Sequence, residues 1–134
     1  MNEDQKLVNI LHENYNTTLQ WVVAMQHGHR LDEFLKGRGY QKIAVYGMND
    51  LGNCVVREIL NSDELEILFV LDQGEPKLYF DIDCYHLETM PTDVRPDVII
   101  VALPFLYEEI KDNIQIVSKC KTISIKDMVY EMDI

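Results

Sequence analysis

The sequence predicts an α/β fold in which helices cover both faces of a parallel β-sheet. Three short runs, at residues 43–46, 67–71 and 97–101, are apolar at almost every position instead of alternating with polar residues. This composition is typical of strands that are buried on both faces. Segments with helical periodicity separate these runs, and alternating strands and helices predict a doubly wound sheet. Together with two weaker strands described below, the sheet has five strands, and right-handed crossovers give them the order 3-2-1-4-5.

The composition is that of one globular domain with room for a small appendage. The chain has 134 residues, of which 47% are hydrophobic and 26% are charged, close to the averages for soluble globular proteins. It carries 12 basic and 23 acidic residues, for a formal net charge of −11. That balance argues against binding to nucleic acid, which needs a basic surface, and against docking on an anionic membrane.

The acidic residues are unevenly distributed along the chain. Residues 1–40 carry four basic and five acidic side chains, whereas residues 41–134 carry eight and eighteen. This asymmetry indicates two parts with different roles, although an acidic surface that keeps the protein soluble explains it as well.

The N-terminal sequence, the lengths of the apolar runs and the cysteine spacing predict a cytoplasmic protein. The N-terminus is polar and acidic, unlike that of a signal peptide, and no apolar run approaches the length of a membrane span. Cys54, Cys84 and Cys120 lie about thirty residues apart, a spacing that fits reduced thiols and neither a disulfide framework nor a zinc site. We therefore expect a cytoplasmic protein without a metal centre.

Residues 1–39 are predicted to form a helical N-terminal segment. Apolar residues recur at helical spacing (i, i+3, i+4) between residues 3 and 37. Polar residues at 14–17 and 27–29 interrupt the pattern, which predicts two or three short helices. Glycines then mark the boundary with the α/β domain, which is predicted over residues 40–134.

Each predicted element of the α/β domain has its own local signal. The first strand is a short β-rich run that ends at Gly47, and the segment after it has helical character. Pro96 precedes the fourth strand, and apolar residues three to four positions apart mark the helix that follows. In chain order, the predicted elements are a strand at 43–46, a helix at 51–60, a strand at 67–71, a weak strand at 78–85, a strand at 97–101, a helix at 105–117, a strand at 122–125 and a helical tail.

A glycine-containing turn joins the first strand to its helix. The segment Gly47-Met-Asn49-Asp50-Leu51-Gly52 follows the pattern G-x-G-x-x-G, with asparagine at the second glycine position. In that pattern the first glycine permits the tight turn, the second lets the backbone approach a pyrophosphate, and the third lets the helix pack closely on the strand. These five numbered residues are predicted to line a phosphate-binding turn at a helix N-terminus, where free N–H groups attract anions.

A carboxylate follows at the position where dinucleotide-binding folds bind ribose. Asp72 ends the second predicted strand, twenty residues after Gly52. A carboxylate there accepts hydrogen bonds from ribose hydroxyls and repels the extra phosphate of NADP. One feature opposes an anionic ligand: Asp50 lies within the turn, and residues 50–97 carry three basic and twelve acidic side chains.

The crevice of a doubly wound sheet lies where the strand order reverses, here between strands 1 and 4. Ala102, Leu103 and Pro104 follow the fourth strand and are predicted to border that crevice. No catalytic set of serine, histidine, cysteine or carboxylate groups follows from the sequence, so whether the chain is an enzyme stays open at this point.

Four stretches carry a resemblance to a known class of domain. The chain resembles the small Rossmann-like domains of bacterial surface-polysaccharide and sugar-nucleotide biosynthesis proteins. Such domains bind NAD, nucleotide sugars or CoA, or serve as docking modules, and the resemblance implies the same range here. Asn49 departs from the pattern, which has glycine at that position. The matching stretches are 43–52, 69–72, 96–104 and 123–129.

Two functions are therefore compared. The first is a module that binds NAD or a nucleotide sugar and acts in or beside a polysaccharide-biosynthesis enzyme. The alternative is a non-catalytic interaction or oligomerisation module with a vestigial nucleotide site. In that case the N-terminal helices contact a second copy or a larger enzyme partner. A complete oxidoreductase is disfavoured, because 134 residues leave little room for a substrate domain.

Overall fold

A computed structural model of the chain describes residues 1–76 and 78–134. It contains a five-stranded, all-parallel sheet in the order β3-β2-β1-β4-β5, which confirms the predicted fold class and strand order. Two 3₁₀ turns, Leu87–Thr89 and Pro104–Leu106, complete the regular structure of the described residues. The helices and strands are α1 (Glu3–Gln26), α2 (Leu31–Gly37), β1 (Lys42–Tyr46), α3 (Asp50–Leu60), β2 (Glu66–Leu71), β3 (Cys84–Tyr85), β4 (Val98–Val101), α4 (Tyr107–Val117), β5 (Thr122–Ser124) and α5 (Ile125–Glu131).

The sheet is buried on both faces, as its apolar strands predict. Along β1, Ile43 and Val45 join one apolar cluster, while Ala44 and Tyr46 join the other, because successive side chains of a strand point to opposite faces. Helices α1, α2, α3 and α5 pack on the first face, and α4 packs on the second. The N-terminal helical segment therefore shares its core with the α/β domain.

The central strands end at the same level, and this alignment positions the candidate site. Tyr46 at the end of β1 pairs with Leu71 at the end of β2 and with Val101 at the end of β4. The residues that follow these three strands consequently emerge together at the carboxyl edge of the sheet. Strands β1 and β4 are neighbours there, at the point where the direction of winding reverses.

The N-terminal segment differs from the prediction in one respect. The expected interruption at 14–17 is absent, and α1 continues through it for 24 residues. Thr17 is buried against the core, with 1% of its surface exposed, and Thr18 bonds back to the Asn14 carbonyl at 2.8 Å. The weak helix propensity of asparagine and threonine is thus overridden by tertiary packing. The predicted break at 27–29 is present, as a turn with Gly28 at φ +89°.

The region between β2 and β4 is mostly irregular. Only Cys84–Tyr85 of the predicted weak strand at 78–85 pairs with the sheet, through β2. Within the two described ranges, no helix combines the length and the apolar composition that crossing a membrane requires.

Candidate functional site

Gly47 makes the tight exit from β1. Its φ is +101°, a value that side chains other than glycine rarely adopt, and its N–H donates to the Leu71 carbonyl at 2.8 Å. A Cβ atom at this position would lie 3.2 Å from Cγ of Leu103. The turn is therefore held between the ends of β2 and β4.

Gly52 lets the first turn of α3 pack directly on the end of β1. A Cβ atom at this position would overlap the Gly47 carbonyl oxygen and lie 3.0 Å from the Gly47 carbonyl carbon. The sterically obligatory glycine is the third of the pattern, whose predicted role is close contact between helix and strand.

Asn49 caps the N-terminus of α3. Its Oδ1 accepts a hydrogen bond from the Gly52 N–H at 2.7 Å, a typical bond for asparagine at the N-cap position. Its Nδ2 donates to the Ala102 carbonyl at 3.2 Å. The side chain at the second glycine position thus ties the turn to the end of β4 and occupies part of the crevice.

Asp72 is held by two backbone groups. Its Oδ2 accepts from the Met48 N–H and its Oδ1 from the Gly74 N–H, each at 2.7 Å. A carboxylate can accept about four hydrogen bonds, so each oxygen can accept a further one from a ribose hydroxyl. The carboxylate thereby fixes the glycine turn and remains able to bind a ligand.

The electrostatic field at the carboxyl edge is negative. Burial, followed by the charge of Asp72, raises the pKa of Tyr46 to about 12. Burial and the same carboxylate also raise the pKa of the Cys84 thiol, which keeps it protonated and unreactive at neutral pH. Asp50 adds an exposed carboxylate in the first turn of α3. This field disfavours highly charged anions, such as NADP, more than singly charged ones.

The structure brings the three predicted segments of the site together. Asn49 contacts the end of β4 and Asp72 contacts the turn, through the bonds given above, while Leu103 lies against Gly47. Pro104, the last residue of the third segment, starts the 3₁₀ turn before α4. The nine predicted residues therefore lie on three segments that meet at the switch point of the sheet.

Three contributors were missed by the sequence analysis. Met48 is buried, and its backbone N–H is one of the donors to Asp72, while Gly74 supplies the other. Asn53 is buried and donates from Nδ2 to the Asn49 carbonyl at 2.9 Å. Met48 and Gly74 act through backbone atoms, so their side chains give no signal in the sequence. Asn53 follows Asn49 by four positions, one helical turn, and this spacing could have identified it.

Several basic residues lie together at the opposite, amino edge of the sheet. A cavity of about 430 Å³ there is lined by Arg38, Arg95, Lys119 and Lys121, four of the twelve basic residues of the chain. Asp97 lies among them and accepts from two backbone N–H groups. This positive charge lies at the far ends of the strands from the glycine turn and does not compensate an anion bound there.

The fold and the site define an α/β protein with a doubly wound parallel sheet and a glycine turn at its switch point. Over the part of the chain that the structure describes, no three histidine, cysteine or carboxylate side chains are grouped as a metal site. Comparison with protein-family models, with curated proteins and with solved structures finds no match to this chain.

Proposed function

We propose that this protein is a Rossmann-like module that binds NAD or a nucleotide sugar at the carboxyl edge of its sheet. The observation that carries the proposal is the junction of the Gly47–Gly52 turn, the α3 N-terminus and Asp72 at the switch point between β1 and β4. Ligands of doubly wound folds bind in this crevice because the backbone ends of several strands converge there.

The start of α3 supports phosphate binding. The Asn49 cap uses the N–H of Gly52, while the Leu51 N–H in the first turn has no acceptor among the described residues. That N–H and the positive end of the helix dipole attract a phosphate oxygen. Asp50 lowers the affinity, since its carboxylate lies in the same turn.

Asp72 supports recognition of a ribose. Its two backbone donors fix the carboxylate in one orientation, and its remaining lone pairs can accept the two ribose hydroxyls. The same negative charge opposes the additional phosphate of NADP, so we infer a preference for NAD.

The biological setting follows from the resemblance to domains of bacterial surface-polysaccharide biosynthesis. In this proposal the module works in the cytoplasm, within or beside an enzyme that uses sugar nucleotides, and supplies binding rather than chemistry. No catalytic residue is assigned to the chain.

Calorimetric titration and thermal unfolding with NAD, NADP, a uridine-diphosphate sugar and CoA test the proposal. NAD or the nucleotide sugar should bind, and a ligand at about 100 times its Kd should stabilise the fold by about 2.7 kcal/mol. NADP should bind at least tenfold more weakly than NAD. The absence of binding by all four ligands at millimolar concentration would overturn the proposal.

The affinity of an Asp50→Asn variant tests whether the nucleotide binds at this turn. Removing this carboxylate from the first turn of α3 should tighten nucleotide binding severalfold, because it removes a repulsion close to the phosphates. Glu66→Gln is the matched control, since it makes the same change of charge on an exposed residue that starts β2, at the other edge of the sheet. Equal effects of both variants would mean that only the overall charge matters and that the turn is not the site.

A further inference from the structure

Helix α1 exposes a row of large apolar side chains on the surface away from the core. They are between 38% and 63% exposed, and residues 14–26 contain no charged side chain. Monomeric proteins rarely leave so many neighbouring apolar side chains in water. The row, called the α1 stripe below, consists of Leu7, Val8, Leu11, Tyr15, Leu19, Val22 and Val23.

The α1 stripe is symmetric about its central residue, Tyr15. Leu11 and Leu19 lie four positions on either side of it, and the pair Val8 and Val22 lies seven positions away. Leu7 and Val23, at eight positions, complete the symmetric set. Met25 is also exposed on α1 but lies beyond this set and lines the groove described below. When a helix pairs with a copy of itself around a two-fold axis, residues equally far from the axis on opposite sides meet each other. The symmetric spacing therefore places apolar side chains opposite apolar side chains.

We propose that two copies of this chain pair through antiparallel α1 helices, with the two-fold axis at Tyr15. Leu11 of each copy then meets Leu19 of the other, and the two Tyr15 side chains meet at the centre. The antiparallel arrangement also sets the positive end of each helix dipole beside the negative end of its partner. The proposal does not rest on nucleotide binding at the carboxyl edge, although α1 packs on the 3₁₀ turn that begins at Pro104.

The apolar area of the stripe approaches that of a standard dimer interface. Each half-exposed side chain offers on the order of 100 Å² of apolar surface, so the seven together offer on the order of 700 Å² per copy. That is close to the ~800 Å² that each partner buries in a standard interface. Six of the seven lie within an arc of roughly 120° on a helix that advances ~100° per residue, as one contact surface requires.

The distribution of charge favours pairing of two copies at the α1 stripe over pairing at other surfaces of the molecule. The chain has a net charge of −11, so two copies repel each other wherever their acidic surfaces approach. Helix α1 contributes only Glu3, Asp4, Lys6 and Glu13 to that charge, all in its first half. The stripe is consequently a surface through which two copies can approach closely without a large electrostatic cost.

An apolar groove adjoins the C-terminal half of the stripe. It has a volume of about 240 Å³ and is lined by Trp21 and Met25 of α1 and by Cys54 of α3, among others. Antiparallel pairing about Tyr15 brings the first turns of the second copy's α1, including Leu7 and Leu11, alongside this groove. The groove would thus take up apolar side chains that otherwise project into water.

Sedimentation velocity and light scattering measure the association state. The wild-type chain at high micromolar concentration should have twice its 15.7 kDa mass, and Leu11→Lys or Leu19→Lys should weaken the dimer at least a hundredfold. Ile116→Lys is the matched control, because Ile116 is an 81% exposed apolar residue outside the stripe, and it should remain dimeric. A monomeric wild type, or a Leu11→Lys variant that dimerises as the wild type does, would overturn the proposal.

Disulfide trapping tests the axis and the orientation. In a Cys54→Ser background, which removes the exposed native thiol, Tyr15→Cys should oxidise to a covalent dimer, whereas Asn16→Cys on another side of the helix should not. Leu11→Cys mixed with Leu19→Cys should cross-link the two different chains. Efficient cross-linking of Leu11→Cys to itself would indicate parallel pairing and would refute the antiparallel arrangement.

Discussion

At the glycine turn, the absence of one Cβ atom decides where α3 can begin. Gly52 packs against the Gly47 carbonyl so closely that no side chain fits between them. Asn49, three residues earlier, contributes the opposite property, a side chain that bonds both to the helix and to β4. The two residues make the turn rigid from both sides, which preorganises it for a ligand.

Gly52→Ala should therefore destabilise the fold by about 3 kcal/mol or more, because the new methyl group displaces α3 from β1. Gly37→Ala is the control. A Cβ atom at position 37 would have open space around it, and alanine is the better helix former, so the change should be neutral or slightly stabilising. Urea unfolding of both variants checks the pair, and a Gly52→Ala variant as stable as the wild type would contradict the steric account.

Thr17 presents a different situation, a buried polar atom without a partner. Thr17 is 1% exposed, and its Oγ1 atom has no hydrogen-bond partner among the described residues. Thr17→Val keeps the shape and removes the unsatisfied hydroxyl, so it should stabilise the protein by roughly 1 kcal/mol. A rise in Tm of a few degrees by calorimetry is expected, and a fall would mean that the hydroxyl makes a bond that contributes to stability.

At the scale of elements, the capping of α3 links stability to ligand binding. The side chain of Asn49 satisfies one N–H of the helix but occupies the position where the glycine pattern lets a pyrophosphate approach. The sequence predicts the position of this residue within the turn but not its cap or its bond to the Ala102 carbonyl, because both depend on the path of the backbone after β1.

Asn49→Gly should lower the unfolding free energy by only a few tenths to 1 kcal/mol, since glycine is tolerated at N-caps, and should tighten nucleotide binding. Asn49→Asp is the matched comparison. It keeps a capping oxygen but replaces the donor to Ala102 with a negative charge, so it should weaken nucleotide binding. Calorimetric titration with NAD measures both effects. Unchanged affinity in both variants would mean that ligand does not approach the turn.

Strands and helices differ in how well local sequence predicts them. The apolar runs of β1, β2 and β4 are correctly predicted because burial on both faces removes polar residues from the whole strand. Helix α1 is predicted as separate pieces because its polar interruption resembles a loop, yet the core holds it helical. The predicted length of β3 is too long, because only two of its residues pair with the sheet. Composition fixes neither the ends of a strand nor the number of residues that pair.

At the scale of the whole molecule, the two edges of the sheet differ in their charged residues. The carboxyl edge carries Asp50 and Asp72, while four basic residues surround the cavity at the amino edge. Asp97 belongs to that basic edge and joins β4 to the start of β1, because its Oδ2 accepts from the Gln41 and Lys42 N–H groups at 2.8 and 2.9 Å. The total charge is evident from the sequence, but the clustering of these four basic residues becomes visible only with the strand order.

The two backbone bonds lower the pKa of Asp97, that from Lys42 most strongly. Since the folded-state pKa lies below the unfolded value of about 3.9, the carboxylate stabilises the fold above that pH, and the contribution is lost as the pH falls through the folded-state pKa. Asp97→Asn should therefore be less stable at pH 7, by roughly 1 kcal/mol or less for this exposed group. The difference from wild type should shrink below about pH 4.

Urea unfolding at pH 7, 4 and 3 measures this dependence. Asp112→Asn, which alters an exposed carboxylate on α4, provides the control and should show little difference at any pH. If Asp97→Asn differed from wild type by the same amount at pH 7 and at pH 3, the backbone bonds would not be coupled to the charge of the carboxylate.

The most direct test of the proposed function is a titration of the ¹⁵N-labelled protein with NAD and with a uridine-diphosphate sugar, followed residue by residue by NMR. Binding at the switch point should shift the amide signals of Met48, Leu51 and Gly52 in a saturable manner, because their N–H groups lie at the phosphate turn and beside Asp72. The signals of Lys119 and Lys121, at the amino edge, should stay in place. No shift at the turn with either ligand at millimolar concentration, or shifts confined to the amino edge, would contradict the account.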